Sequence, residues 1–110
     1  MTVYGNGYIQ FHEKLNESQK ERVAVILGMD FHHVKSEILK IGGDEPKTTF
    51  SFLYENENYT TAFVLDTLYH VNYWASIEIG EVAFFDTDNN QWRFRFIGDK
   101  WEEEKGEVVY

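Results

Sequence analysis

The sequence predicts an α+β domain: an antiparallel sheet with one or two helices on one face and an extended C-terminal hairpin. Three observations lead there. Apolar residues alternate from Ile77, meet the turn cluster Asp86-Thr87-Asp88-Asn89-Asn90, and continue through Trp92-Arg93-Phe94-Arg95-Phe96. A strand points successive side chains to opposite faces, so Trp92, Phe94 and Phe96 share one face and the two arginines the other. Upstream, Val23, Ile26 and Leu27 recur at helical spacing behind an N-terminal helix signal. Hydrophobic residues make up 43% of the chain and aromatics 17%, bulky material that suits a twisted sheet covered by helices.

Taken in order, Gly7-Tyr8-Ile9-Gln10-Phe11-His12 reads as a first strand with Ile9 and Phe11 on one face. Asn16 then caps a helix, with Gln19 completing a capping box and Glu17 in the first turn; Gly28 is expected to end it as a left-handed cap. Ser36–Ile41 and Thr48–Tyr54 read as strands joined by the turn Gly42-Gly43-Asp44-Glu45-Pro46. Residues 57–73 admit two readings. Phe63, Val64, Leu65, Leu68 and Val71 form a helical stripe that Asn58 could cap, while the aromatic and β-branched content also permits a strand over Tyr59–Leu65. The helix is preferred because the topology then closes. Ser76–Phe85 follows as a strand with a bulge expected at Gly80, and the aromatic hairpin completes the pattern. Strand, helix, strand, strand, helix, strand and one further strand make a ferredoxin-like sandwich with an extension.

At 110 residues, with no linker, repeat or low-complexity tract, the chain reads as one domain, 1–110. It has no cysteine, which excludes a disulfide framework and thiolate metal sites and suits a reducing compartment. Met1–Gly7 lacks a basic n-region and a long apolar run, and no segment is long enough to span a membrane, so a cytoplasmic location is expected. Nineteen acidic residues against ten basic ones leave a net charge of −9. Binding a phosphate backbone needs a basic surface, so direct contact with nucleic acid is disfavoured and a basic protein is the better partner.

The chemical motifs fail one by one. Asp86-Thr87-Asp88 begins like a calcium loop, but Gln91 stands where the sharp turn needs glycine and Ile97 where bidentate ligation needs glutamate. His12, His32, His33 and His70 show no spacing that brings two imidazoles onto one face, so neither metal nor other cofactor is expected. No Gly-x-Ser-x-Gly elbow marks a nucleophile, and Gly5-Asn6-Gly7 lacks the third glycine of a phosphate cradle. An enzyme is therefore not expected. Arg93 and Arg95 lie on the face opposite the aromatics, unlike a base-stacking sheet, and are expected to pair with Glu78 or Glu81.

Three binding surfaces are left. Glu102, Glu103, Glu104, Asp86 and Asp88 fall in turns and tails. They either solubilise the surface or imitate spaced phosphates and occupy a basic partner's groove. Tyr59, Tyr69, Tyr73 and Trp74 could line a small-ligand pocket between helices and sheet. Exposed aromatics or a free sheet edge could instead build a homodimer.

The pattern Trp92-Arg93-Phe94-Arg95-Phe96, Gly98, Trp101, Gly106-Glu107-Val108-Val109-Tyr110, in a short acidic chain, resembles small uncharacterised accessory proteins of phages and other mobile elements. The resemblance covers the last third and brings no active site with it. Some proteins of that kind inhibit host defence nucleases, so it implies a non-enzymatic inhibitor of a nucleic-acid-binding or defence protein.

Overall fold

β1 (Val3–Phe11) is the strand about which the sheet is arranged. A computed structural model describes residues 2–40, 42–43 and 45–106. Among them β1 is followed by α1 (Glu17–Gly28), β2 (His32–Leu39), β3 (Lys47–Asn56), α2 (Thr61–Trp74), β4 (Ile77–Asp86), β5 (Gln91–Ile97) and β6 (Lys100–Lys105). The six strands form one antiparallel sheet in the order β2-β3-β1-β4-β5-β6, and both helices cover the same face. No helix among the described residues is long and apolar enough to cross a membrane.

The first strand, which the sequence pattern starts at Gly7, starts at Val3 and takes Gly5 and Gly7 into the centre of the sheet. Their bareness is steric. A Cβ at Gly5 would stand 2.5 Å from the Ala83 carbonyl oxygen, and one at Gly7 2.7 Å from the Phe52 ring. Phe84 and Phe52, register partners of these glycines on the flanking strands, close over them. Val3, Ile9 and Phe11 supply the apolar side chains that β1 itself adds to the core.

The capping box of α1 forms as expected: the Gln19 amide donates to Asn16 Oδ1 at 2.8 Å and the Asn16 amide to Gln19 Oε1 at 3.1 Å. The C-terminus differs. Gly28 ends the helix without a left-handed φ, and Met29 continues right-handed. Phe31 must return at once to the core, where its ring lies 4.4 Å from that of Phe52, and its amide donates to the Leu27 carbonyl at 2.8 Å.

β2 begins earlier than the expected Ser36, and its register slips between His32 and Lys35 around His33, whose φ is 52°. Ile41 and Asp44, parts of the expected strand end and turn, lie outside the described residues. Residues 61–74 are helical, burying Val64, Thr67, Leu68 and Val71. The N-cap is Thr60, not Asn58, whose amide instead donates to Asn56 Oδ1 at 2.8 Å. Phe63 leaves the expected stripe and is 68% exposed.

The irregularity expected at Gly80 lies instead opposite the Gln10–Phe11 step of β1, at Glu78; Gly80 stays in register with Ile9. β6 lies outside the strands that the sequence predicts. Its Lys-Trp-Glu-Glu-Glu-Lys sequence masks alternation, yet it pairs fully with β5 and buries Trp101. Glu107 and Val108–Tyr110 lie outside the described residues.

Candidate functional site: the uncovered sheet face

Even-numbered residues of β1 point away from the helices, as do the odd-numbered residues 51–55 of β3 and 79–85 of β4. At the centre of this face Asn6 stands between Leu53 and Ala83. Two adjoining hollows meet here, sharing Asn6, His33, Leu53 and Ala83; Tyr8 borders one, and Tyr4 and Phe85 the other. Tyr8, Leu53 and Phe85 are 40%, 48% and 51% exposed, a concentration of apolar surface on a face that neither α1 nor α2 covers. The rings of Tyr4 and Phe85 stack at 5.5 Å, which holds one wall in place.

Beside these hollows lies a ladder of charge. Arg93 donates through Nε to Glu104 Oε2 at 2.7 Å and through Nη1 to Glu81 Oε1 at 3.2 Å, joining β4 and β6 across β5. Arg95 reaches Glu104 at 3.5 Å. The hydrogen bond from Arg93 holds the Glu104 carboxyl below its usual range, and Arg93 is raised in turn. These groups are partly solvated, so the pairing orders the face more than it stabilises the fold. At one end Lys47 Nζ meets Glu78 Oε2 at 2.7 Å, and that bond lowers the Glu78 pKa. Glu81 is thus the expected partner of Arg93, whereas Glu78 serves Lys47 rather than either arginine.

The five acidic residues singled out from the sequence do not form one patch. Glu104 shares the uncovered face with the arginines, and the alternation of β6 puts Glu102 there too. Glu103 faces the helix side, where with Glu57 and Asp86 it borders a hollow beside Tyr59 and Trp92. Asp86 organises the hairpin turn: its Oδ1 accepts from the amides of Asp88 and Asn90 at 2.9 and 3.0 Å, and its Oδ2 from Asn90 Nδ2 at 3.0 Å. Those bonds, that from the Asn90 side chain first, lower its pKa. Asp88 is exposed at the turn.

The aromatic quartet is likewise dispersed. Tyr59 packs with Tyr54, Phe84 and Trp92, and its hydroxyl oxygen accepts from Trp92 Nε1 at 2.9 Å. The Tyr69 hydroxyl oxygen accepts from the Trp101 amide at 3.1 Å. Tyr73 and Trp74 occupy the far end of α2, with Arg22 5.3 Å above the Trp74 ring. A helix of this length separates Tyr59 from Tyr73 by about 20 Å.

Tyr4, Tyr8, Leu53 and Phe85 did not stand out in the sequence. Their signal is apolar residues on both faces of a strand, which becomes informative once one face is known to carry the helices. Among the described residues no group of three or more His, Asp or Glu side chains could hold a metal ion. No protein-family model, curated protein or solved structure matches the chain.

Proposed function

We propose that this chain is a non-enzymatic protein-interaction domain that meets its partner with the uncovered sheet face. The observation that carries the reading is the exposed apolar cluster of Tyr8, Leu53 and Phe85 around Asn6 and Ala83. Large solvent-facing apolar patches with a polar border are characteristic of docking surfaces. A basic partner is favoured by the net charge of −9. Direct nucleic-acid binding is disfavoured by the same charge and by the engagement of Arg93 and Arg95 with carboxylates. Inhibition of a host nucleic-acid-binding or defence protein in the cytoplasm is the role that combination suits best.

The finer architecture belongs to the same proposal. The order β2-β3-β1-β4 with helical crossovers after β1 and β3 supports a ferredoxin-like sandwich, and β5 and β6 extend it.

Affinity capture with wild-type protein and a Leu53→Lys variant, eluted over a salt gradient, tests the function. A basic protein retained by the wild type, released as salt rises and lost on Leu53→Lys is the expected result. Equal retention by both proteins would remove the uncovered face from the interaction.

A further inference from the structure

Among the described residues the outer edge of β2 is open: every residue of the strand except Val34 is exposed, and β2 ends the sheet. Open edges are usually blunted by charge or by a bulge. Here the register slip at His33 bends the strand's beginning and leaves Val34–Ile38 for pairing. The pattern of those five residues is self-complementary. Lys35 and Glu37 face the uncovered side, opposite Ser51 and Thr49 of β3, while Ser36 and Ile38 face the helix side with Phe50 and Thr48.

We propose that two copies of this chain pair antiparallel through β2, about a twofold axis at Ser36, to form one continuous sheet. An axis perpendicular to the sheet keeps each face on its own side, so only residues of like parity can stand opposite each other. Centring on Lys35 sets lysine against lysine, and centring on Glu37 sets glutamate against glutamate. Centring on Ser36 sets Lys35 of each copy against Glu37 of the other, twice, and cross-strand pairs of opposite charge are favourable where like pairs are not. The same register brings Val34 against Ile38 on the other face, twice, giving a partner to an isoleucine that is 51% exposed in the single chain. Charge thus selects the register that also joins the apolar side chains.

The opposite edge is more acidic. β6 carries Glu102, Glu103 and Glu104 in succession, and centring its pairing on Glu102 or Glu103 sets carboxylate against carboxylate. A twofold contact at β2 uses that edge of each copy once, so it closes as a dimer. It leaves the proposed docking face open on one side of the joined sheet, with Lys35 at the border of the hollow beside Tyr8.

Sedimentation velocity over a concentration series, on wild type, Lys35→Glu, Glu37→Lys and the double reversal, tests the proposal. The wild type is expected to be a concentration-dependent dimer. Each single reversal should weaken it at least tenfold, and the double reversal should restore it. An equimolar mixture of the two single variants should dimerise although neither does alone, a rescue that requires both to be folded. A wild type that stays monomeric up to about 1 mM, a dimer indifferent to the single reversals, or a loss that neither rescue repairs would each overturn the proposal. Leu53→Lys should leave the dimer unchanged, which separates failure here from failure of the docking reading.

Discussion

The indole of Trp101 lies over Gly80, reaching from β6 across β5 to β4, so that a Cβ at residue 80 would stand 2.6 Å from Cη2 of the ring. The indole has little freedom to withdraw. Its centroid is 5.4 Å from that of Phe96, and the Trp101 amide donates to the Tyr69 hydroxyl oxygen at 3.1 Å. Gly80→Ala is therefore expected to destabilise the fold by about 1–3 kcal/mol, the usual range for overpacking a closed site. Urea unfolding measures it; a midpoint equal to that of the wild type would mean that the indole shifts without resistance.

The reciprocal hydrogen bonds of Asn16 and Gln19 make a second site of defined cost. Asn16→Ala should lower stability by about 1 kcal/mol. Asn16→Asp should keep most of it, because a carboxylate also accepts from the Gln19 amide and suits the positive end of α1. Chemical denaturation of both variants separates loss of the cap from loss of bulk.

The Tyr54 hydroxyl is pushed up to about 12 by burial, with Asp30 and then Tyr59 adding to the effect. Its ordinary value is 10.0, so below that pH both folded and unfolded chains keep the proton and the shift has no consequence. Above it the unfolded chain ionises first, and stability falls as pH rises through the folded value. Tyr54→Phe should flatten the stability curve between pH 10 and 12. Some slope should persist, because burial also raises Tyr59. Denaturant midpoints against pH provide the check, and parallel curves for the two proteins would contradict it.

At the acid end the sign reverses. Glu78 is lowered from its ordinary 4.5, first by the hydrogen bond from Lys47. Its contribution is present above the unfolded value and is lost as pH falls through the folded one. Lys47→Met should shrink the stability lost on acidification. Thermal unfolding between neutral pH and the carboxylate range would show this.

Local patterns were legible where neighbours in sequence are also neighbours in energy. The Asn16–Gln19 box, the helical stripe of α1 and the Trp92–Phe96 alternation rest on contacts within a turn or along one strand. The features that escaped depend on distant partners. Gly5 and Gly7 resemble loop residues until Phe84 and Phe52 are seen to lie over them. β6 resembles a solvated charge run until Trp101 finds Gly80 and Glu104 finds Arg93. The Glu78 bulge exists in the pairing of β4 with β1, which no single segment encodes. The exposed Tyr8, Leu53 and Phe85 become a surface only when the helices are known to take the other side.

The division of β1 has a consequence for how this protein could change over time. Its odd-numbered positions, Val3 to Phe11, answer to the core, and two of them tolerate no side chain at all without displacing a neighbour. Its even-numbered positions, Tyr4, Asn6 and Tyr8, lie outside that constraint on the opposite side. One strand thus holds a fixed structural duty and an adaptable one in alternation. A lineage could exchange the outward residues to follow a diverging partner while the scaffold beneath them stayed the same.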